Sequence, residues 1–376
     1  MLYLHKFKLR KTFLKVALTY NVKQETDDSK NDLLNAARQS DASKYIHREL
    51  VENYPERIDD TYAEWDSMET IDAVKSALEA GGHDVTLVEA DVNAFTKIKD
   101  LNPEFVFNVA EGYYGASRES QIPAMLEMLN IPFTGSDSIT IGICHDKSRC
   151  KEILSYYNIP NAKFVLADSL DAAKNINLDF PLIVKPISEG SSKGIFSSSF
   201  VRDNNELLRE VERVLVEYNQ PALIEEFLQG REFTVAILGN GSEAEVLPIV
   251  EISYNGFPKD FVPIYSYEAK WILDTKENPL DVFSCPAKID LKLEKKINDV
   301  ALKTYSILRC KDWSRIDVRL DKNNEPNIIE INPLPGILPD PDENSCFPKA
   351  ARTKGLNYQE MINKVLYVAA KRYKLI

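Results

Sequence analysis

Apolar and polar residues alternate along 313–336 (W-S-R-I-D-V-R-L-D-K-N-N-E-P-N-I-I-E-I-N-P-L-P-G), and that period predicts a β-hairpin. Asn323-Asn324 is expected to be its two-residue connection, because Asn tolerates the positive φ of a tight hairpin turn. Pairing Lys322 with Glu325 then sets Asp317 opposite Glu330 and Arg315 opposite Asn332, all four on one face. Ile316, Val318, Ile329 and Ile331 are expected on the other.

The same reading gives a buried strand at 13–20 and a helix at 69–80, spaced through Ile71, Val74 and Leu78 and stopped by Gly81-Gly82. Strands follow at 83–88 and 105–109. Strand, helix, strand implies a parallel βαβ unit, so the chain reads as α/β from its start. Residues 24–55 are charged and weakly periodic and read as an insertion with one helix. Further on, 181–186 is a buried strand, 223–228 leads through Gly230 to 232–237, and 291–308 and 357–372 are amphipathic helices.

A chain of 376 residues can bury more than one core. Its net charge of −12 argues against a nucleic-acid binder, since a phosphate backbone calls for a basic field. Five cysteines (Cys144, Cys150, Cys285, Cys310 and Cys346) are odd in number and form no C-x-x-C pair, which favours a reduced, cytoplasmic setting. The basic first fifteen residues are broken by Lys6, Lys8, Arg10, Lys11 and Lys15, so no signal core is expected. No run approaches about 18 apolar residues, and no membrane span is expected.

Two carboxylates and an amide oxygen on one strand face suit a hard cation, Mg2+ above all. Arg315 adds a planar cation; an exposed Arg315–Asp317 ion pair is the rival reading, but it leaves Glu-x-Asn unexplained. Pro333-Leu334-Pro335-Gly336 ends the strand in a turn whose glycine lets backbone N–H groups approach a reacting oxygen. Lys185 stands inside an apolar strand, where an ammonium needs an anion. The small-residue run 188–194 (S-E-G-S-S-K-G) can fold over a polyphosphate, although taken alone it is equally a plain hairpin turn. No G-x-x-x-x-G-K-[ST] element occurs. The aromatic loop at 263–286 is long enough to be functional.

R-I-D-V followed by I-E-I-N-P and a glycine, K-P coupled to E-G-S-S-x-G, and the run 110–137 with M-L-E-M-L and I-P-F-T-G-S together resemble ATP-grasp ligases, in particular the D-alanine-D-alanine ligase family. The resemblance implies an α/β (α+β) ATP-grasp fold. An N-terminal parallel α/β domain would span 12–136 with an insertion near 24–61, followed by a central lid domain (137–226) and a C-terminal domain (227–376) that sandwich ATP. It also implies a carboxylate-amine ligase working through an acyl phosphate on small amino-acid or carboxylate substrates, in peptidoglycan synthesis, as a homodimer through the N-terminal unit.

By the same resemblance Lys147 and Lys185 hold ATP phosphates, and Glu189, Ser191 and Ser192 belong to a lid, Ser191 with a catalytic share. Glu225, Glu226 and Leu228 face adenine, and Glu232 accepts from the ribose. Lys270 meets the transferred phosphoryl group, with Trp271 beside the substrate where many relatives have Tyr. Asp317, Glu330 and Asn332 hold one or two Mg2+ ions, or Mn2+, while Arg315 and the Gly336 backbone stabilise the tetrahedral oxyanion. The 188–194 and 260–286 loops are expected to close together. The chain departs from the family in lacking G-G-x-S-x-E after its first strand, where Glu64 of Y-A-E-W is the candidate replacement, with Glu111 a further substrate candidate. Beyond Gly336, Asp340 and Asp342 would repel an acceptor carboxylate, which points to another acceptor. A ligase making a different product, and an ATP-binding protein without catalysis, are the other readings.

Overall fold

The computed structural model describes residues 13–23, 60, 63–255, 257, 262–273, 280 and 282–376. Most of the expected 24–61 insertion, the basic stretch before residue 13 and the Trp271 side chain lie outside the described residues. Within them, no helix is long and apolar enough to cross a membrane.

The N-terminal unit is a parallel sheet of β1 (Lys15–Tyr20), β2 (Asp84–Glu89) and β3 (Phe105–Asn108), in the order β2-β1-β3. The predicted βαβ crossover is the helix Met68–Ala80, whose Ser67 side chain accepts from Thr70 N–H and whose Ile71, Val74 and Leu78 are buried. One sheet face packs with that helix and with Trp313, Phe347, Met361 and Val365, so the first and last parts of the chain share a core. The other face packs on Ile98, Ile122 and Leu126.

The central sheet contains β4 (Phe164–Ala167), β5 (Leu182–Pro186), β6 (Phe200–Val201) and β7 (Ala222–Glu226), ordered β4-β7-β5-β6 and antiparallel throughout. It is backed by the helix Asn204–Glu217 through Leu207, Val211 and Val214. The C-terminal sheet runs β11-β10-β8-β12-β13, with β9 (Glu245–Val246) paired to β8. Its strands are β8 (Glu232–Leu238), β10 (Val250–Ile252), β11 (Phe283–Ser284), β12 (Trp313–Leu320) and β13 (Pro326–Asn332). The helices Ser138–His145 and Lys147–Tyr156 send Cys144, Cys150 and Leu154 into the core of this third sheet, although the sequence assigned residues from 137 onward to the central unit.

The hairpin register is met, but by a different route. Arg315 pairs with Asn332 and Asp317 with Glu330, after which the ladder shifts by one so that Val318 faces Ile328. Asp321 N–H bonds the Glu325 carbonyl, so the connection holds three residues, with Asn324 at φ 59°. A turn one residue longer than expected and one bulge cancel at the site. The expected apolar face is corrected accordingly: Ile328 is buried with Ile316, Val318 and Ile331, and Ile329 turns toward the cleft.

Candidate active site

The central and C-terminal sheets line a cleft together with Lys23 and residues 63–67 of the N-terminal unit, with a cavity volume of about 340 Å³. β12 and β13 supply its floor. Arg315 donates from Nε to Asp317 Oδ1 at 3.0 Å and from its second terminal nitrogen to Oδ2 at 3.0 Å, and the Asn332 amide lies 3.3 Å from Asp317 Oδ2. Glu330 Oε1 lies 2.8 Å from Lys147 Nζ. Burial raises the Glu330 carboxyl, but Lys147, Lys185 and Arg315 outweigh it and hold the group down at about 2. The carboxylate is therefore ionised at neutral pH.

These donors fit a divalent cation. Among the described residues no three His, Cys, Asp or Glu side chains cluster as ligands, so the amide oxygen of Asn332 must complete any set built on Asp317 and Glu330. Two ionised oxygens with an amide is oxygen chemistry of the kind Mg2+ prefers.

Lysines line the wall above. Lys185 Nζ on β5 lies 2.5 Å from Glu225 Oε2, and Lys151 Nζ lies 2.6 Å from Glu225 Oε1. Burial raises the Glu225 carboxyl, and the two ammonium groups more than reverse that. Glu225, expected to face adenine, lines the cleft with both its oxygens held by lysines. Lys151, one turn after Lys147 on the same helix, is a site residue that received no role from the sequence; the K-x-x-x-K spacing was the available signal.

Glu226 and Leu228 line the far end of the cleft, where Glu226 pairs with the exposed Lys163 at 3.1 Å. Glu232 accepts from Arg319 at 2.8 Å and from the Tyr254 hydroxyl at 3.0 Å. Burial pushes its carboxyl up, only partly offset by Arg319. Arg319, stacked 4.4 Å over the Phe227 ring, also had no role in the sequence reading.

The 188–194 run is a loop over this cleft, with Ser191 and Ser192 at φ 51° and 62°. Ser192 Oγ donates to the Tyr265 carbonyl at 2.7 Å, Tyr267 N–H donates to the Ile195 carbonyl at 2.8 Å, and Ser197 N–H donates to Glu268 at 3.0 Å. The two loops expected to close together are thus joined. Lys270 sits in a short turn at 268–273 and lines the cleft. Burial, with Arg315 and Lys23 adding to it, lowers its ammonium to about 8.

A second set of contacts ties the loop to the N-terminal unit. Arg118 grips both Glu64 oxygens at 2.7 Å, donates to the Ser188 carbonyl at 2.8 Å and reaches Glu189 Oε2 at 3.1 Å. Gly190 N–H donates to Glu64, and Gly194 N–H donates to Asp60 Oδ2 at 2.9 Å. Glu64 was expected to receive a substrate ammonium, yet arginine and the loop backbone engage its carboxylate. Glu111, the further substrate candidate, lies beside Glu64 and Asp66 of the cleft, and burial together with Glu119, Glu64 and Asp66 raises its carboxyl well above the usual range. Gly112 explains the tight loop there, since it stands at φ 79° and a Cβ would meet the Arg118 carbonyl at 2.5 Å.

Gly336, Ile337 and Leu338 close the remaining wall with Glu343, Asn344, Ser345 and Cys346. A Cβ on Gly336 would point into open space, so this glycine leaves room beside Arg315. Asp340 and Asp342, expected to confront the acceptor, do not line the cleft; they lie near Arg352, and Glu343 is the acid that does.

The family model described as "D-ala D-ala ligase C-terminus" matches residues 152–367. The chain belongs to the D-alanine–D-alanine ligase family. It is 32% identical to the D-alanine–D-alanine ligase of Carboxydothermus hydrogenoformans over 80% of this chain and 92% of that protein. It is 34% identical to an uncharacterized protein, y4sG, of Sinorhizobium fredii over 82% of this chain and 90% of that one. Among solved structures, the Bacillus anthracis D-alanine–D-alanine ligase complexed with ATP superposes with TM-score 0.66 at 20% identity, over 96% of this chain and 99% of that one. The VanG D-Ala:D-Ser ligase of Enterococcus faecalis gives TM-score 0.66 at 23% identity, over 94% and 99%. These two establish the ATP-grasp fold, and the family relation makes the chain an ATP-dependent ligase.

Proposed function

We propose that this protein joins the carboxylate of one amino acid to the amine of another at the expense of ATP, with D-alanine the first substrate to try in both positions. The observation that carries the reading is the convergence of Arg315, Asp317, Glu330 and Lys270 on one cleft, with Asn332 paired to Arg315 and Lys147 held on Glu330. Binding alone would not need the whole set.

A carboxylate does not condense with an amine in water until it is activated. Lys147, Lys151 and Lys185 receive the phosphates, with Glu330 and Glu225 holding the ammonium groups in place beforehand. Glu226 and Leu228 border adenine and Glu232 the ribose. An oxygen of the acid substrate attacks the γ-phosphorus and the bond to ADP breaks, leaving an acyl phosphate, while Lys270 and Arg315 offset the charge. One or two Mg2+ ions, or Mn2+, on Asp317, Glu330 and Asn332 supply neutralisation of the phosphates. The amine then adds to the acyl carbon, the oxyanion accepts from Arg315 and Gly336 N–H, and phosphate leaves with the amide formed. The loop joined to Glu64, Arg118 and Tyr265 keeps water from the acyl phosphate. The setting is cytoplasmic and the protein a dimer through its N-terminal unit, which sedimentation will test.

A ligase of a different amino-acid pair is the second reading, favoured by the engagement of Glu64 and by Glu343 in the cleft wall. Purified protein with ATP, Mg2+ and D-alanine should release phosphate and yield a dipeptide by mass spectrometry. A product found only with other amino acids selects the second reading, and no amino-acid-dependent phosphate release from a broad panel sinks both.

A further inference from the structure

At the amino-acid end of the cleft, Asp66 follows Glu64 and Trp65 and bridges the end of the first strand: Val22 pairs with Asp66, and Lys23 N–H donates to its carbonyl at 2.9 Å. Trp65 is fixed by donation to the Gly112 carbonyl at 3.2 Å and by an edge contact with Tyr113 at 4.5 Å. The Asp66 backbone is therefore held from both sides. Asp66 lines the cleft, and among the described residues Lys23 is its charged neighbour while no hydrogen bond reaches its carboxylate. Glu64 is in the opposite condition, saturated by Arg118 and Gly190.

We infer that Asp66, and not Glu64, receives the ammonium group of the amino-acid substrate, with Glu343 and Lys23 setting the charge of that subsite. The inference rests on the ligase reading and adds the residue that selects an amino substrate. Charge supports it. Asp66 and Glu343 bring two negative charges and Lys23 one positive, and all three line the cavity. Lys23 also neighbours Lys270, so the subsite adjoins the phosphoryl-transfer centre, as an α-amino acid with a short span between its ammonium and carboxylate requires.

Burial raises the Asp66 carboxyl to about 7, with Lys23 only partly offsetting it. The groups around it are Lys23 beyond the first strand, Glu111 after the third, Tyr358 on the final helix and Glu343 across the cleft. A bound ammonium favours the ionised form, so binding releases a proton from Asp66 below about pH 7, and affinity rises with pH to that point and then levels.

The test measures binding of D-alanine and a panel of other amino acids to protein saturated with a non-hydrolysable ATP analogue, by calorimetry, alongside product formation. Asp66→Asn is expected to weaken amino-acid binding roughly 30- to 1,000-fold and to abolish its pH dependence, with nucleotide affinity unchanged. Asp66→Glu should recover part of the affinity, and Glu64→Gln should alter nucleotide affinity more than amino-acid affinity. Unchanged amino-acid affinity in Asp66→Asn overturns the assignment, as does the absence of amino-acid binding to the parent protein. Binding that depends on Asp66 without turnover supports the subsite and counts against the ligase reading alone.

Discussion

The two ends of the cleft are built on opposite principles. At the end proposed for the nucleotide, cations meet carboxylates: Lys147 with Glu330, Lys151 and Lys185 with Glu225, and Arg319 with Glu232. At the amino-acid end Asp66 has no such partner and Lys270 is lowered by its own burial and by neighbouring cations. Buried ammonium groups are costly unless paired, so the first end arrives preassembled with internal anions standing in for phosphate. The second end is left with charge that a small zwitterion can complete. Polyphosphate is the same in every cycle, whereas the amino-acid end is where substrates differ.

The comparison breaks most sharply at Glu330. Glu330→Gln is expected to lower turnover by about a thousandfold, because it removes a carboxylate that would hold the metal ion and frees Lys147 from its anchor. ADP release at saturating ATP and amino acid measures it. A loss of less than tenfold would mean the hairpin face is an ion-pair surface and not a reaction centre.

Glu225 tests whether the nucleotide end depends on its internal anions. Glu225→Gln leaves two buried ammonium groups sharing a neutral amide, and should cost about 3–5 kcal/mol of stability. ATP with Mg2+ should restore more melting temperature to this variant than to the parent, since phosphate replaces the lost charge. The sign with pH is fixed. A carboxyl held low in the folded state stabilises above its unfolded value near ~4.3 and loses that contribution as pH falls toward the folded one, so the variant should lack this acid limb.

The same contrast explains what the sequence could reveal. Lys185 in an apolar strand and the Glu-x-Asn end of the hairpin are local patterns, and their chemistry follows from period and burial alone. The hairpin register agrees with the expected one although the turn is one residue longer, because the bulge at Ile329 restores the pairing. Arg118 on Glu64, and Asp60 on Gly194, join positions far apart in the chain, and no spacing announces them. The helix pair after residue 137 looked like the start of a new unit, and only packing shows that Cys144 and Leu154 belong to the last sheet's core.

At the amino-acid end, Lys270 sharpens the picture through pH. Its ammonium is lowered to about 8, and a contact to phosphoryl oxygen needs the charged form. The value of kcat/KM should therefore fall about tenfold per unit above roughly pH 8, the limb reporting the free enzyme. Lys270→Arg, charged throughout, should flatten that limb even if its rate is lower. A limb that persists unchanged in Lys270→Arg belongs to another group.

The smallest effect is expected at Glu226, and it bounds the comparison. It stands on the same strand as Glu225 and lines the same cleft, but its partner Lys163 has a side chain 73% exposed, against 3% for Lys151. An exposed pair is worth under about 1 kcal/mol, because water already solvates both charges and holding the lysine costs side-chain entropy. Glu226→Gln should therefore shift the KM for ATP by less than about twofold and leave the melting temperature within about 1–2 °C. If it matched Glu225→Gln in either measurement, position along the strand would matter more than burial, and the nucleotide end would owe its order to adenine contacts and not to its paired charges.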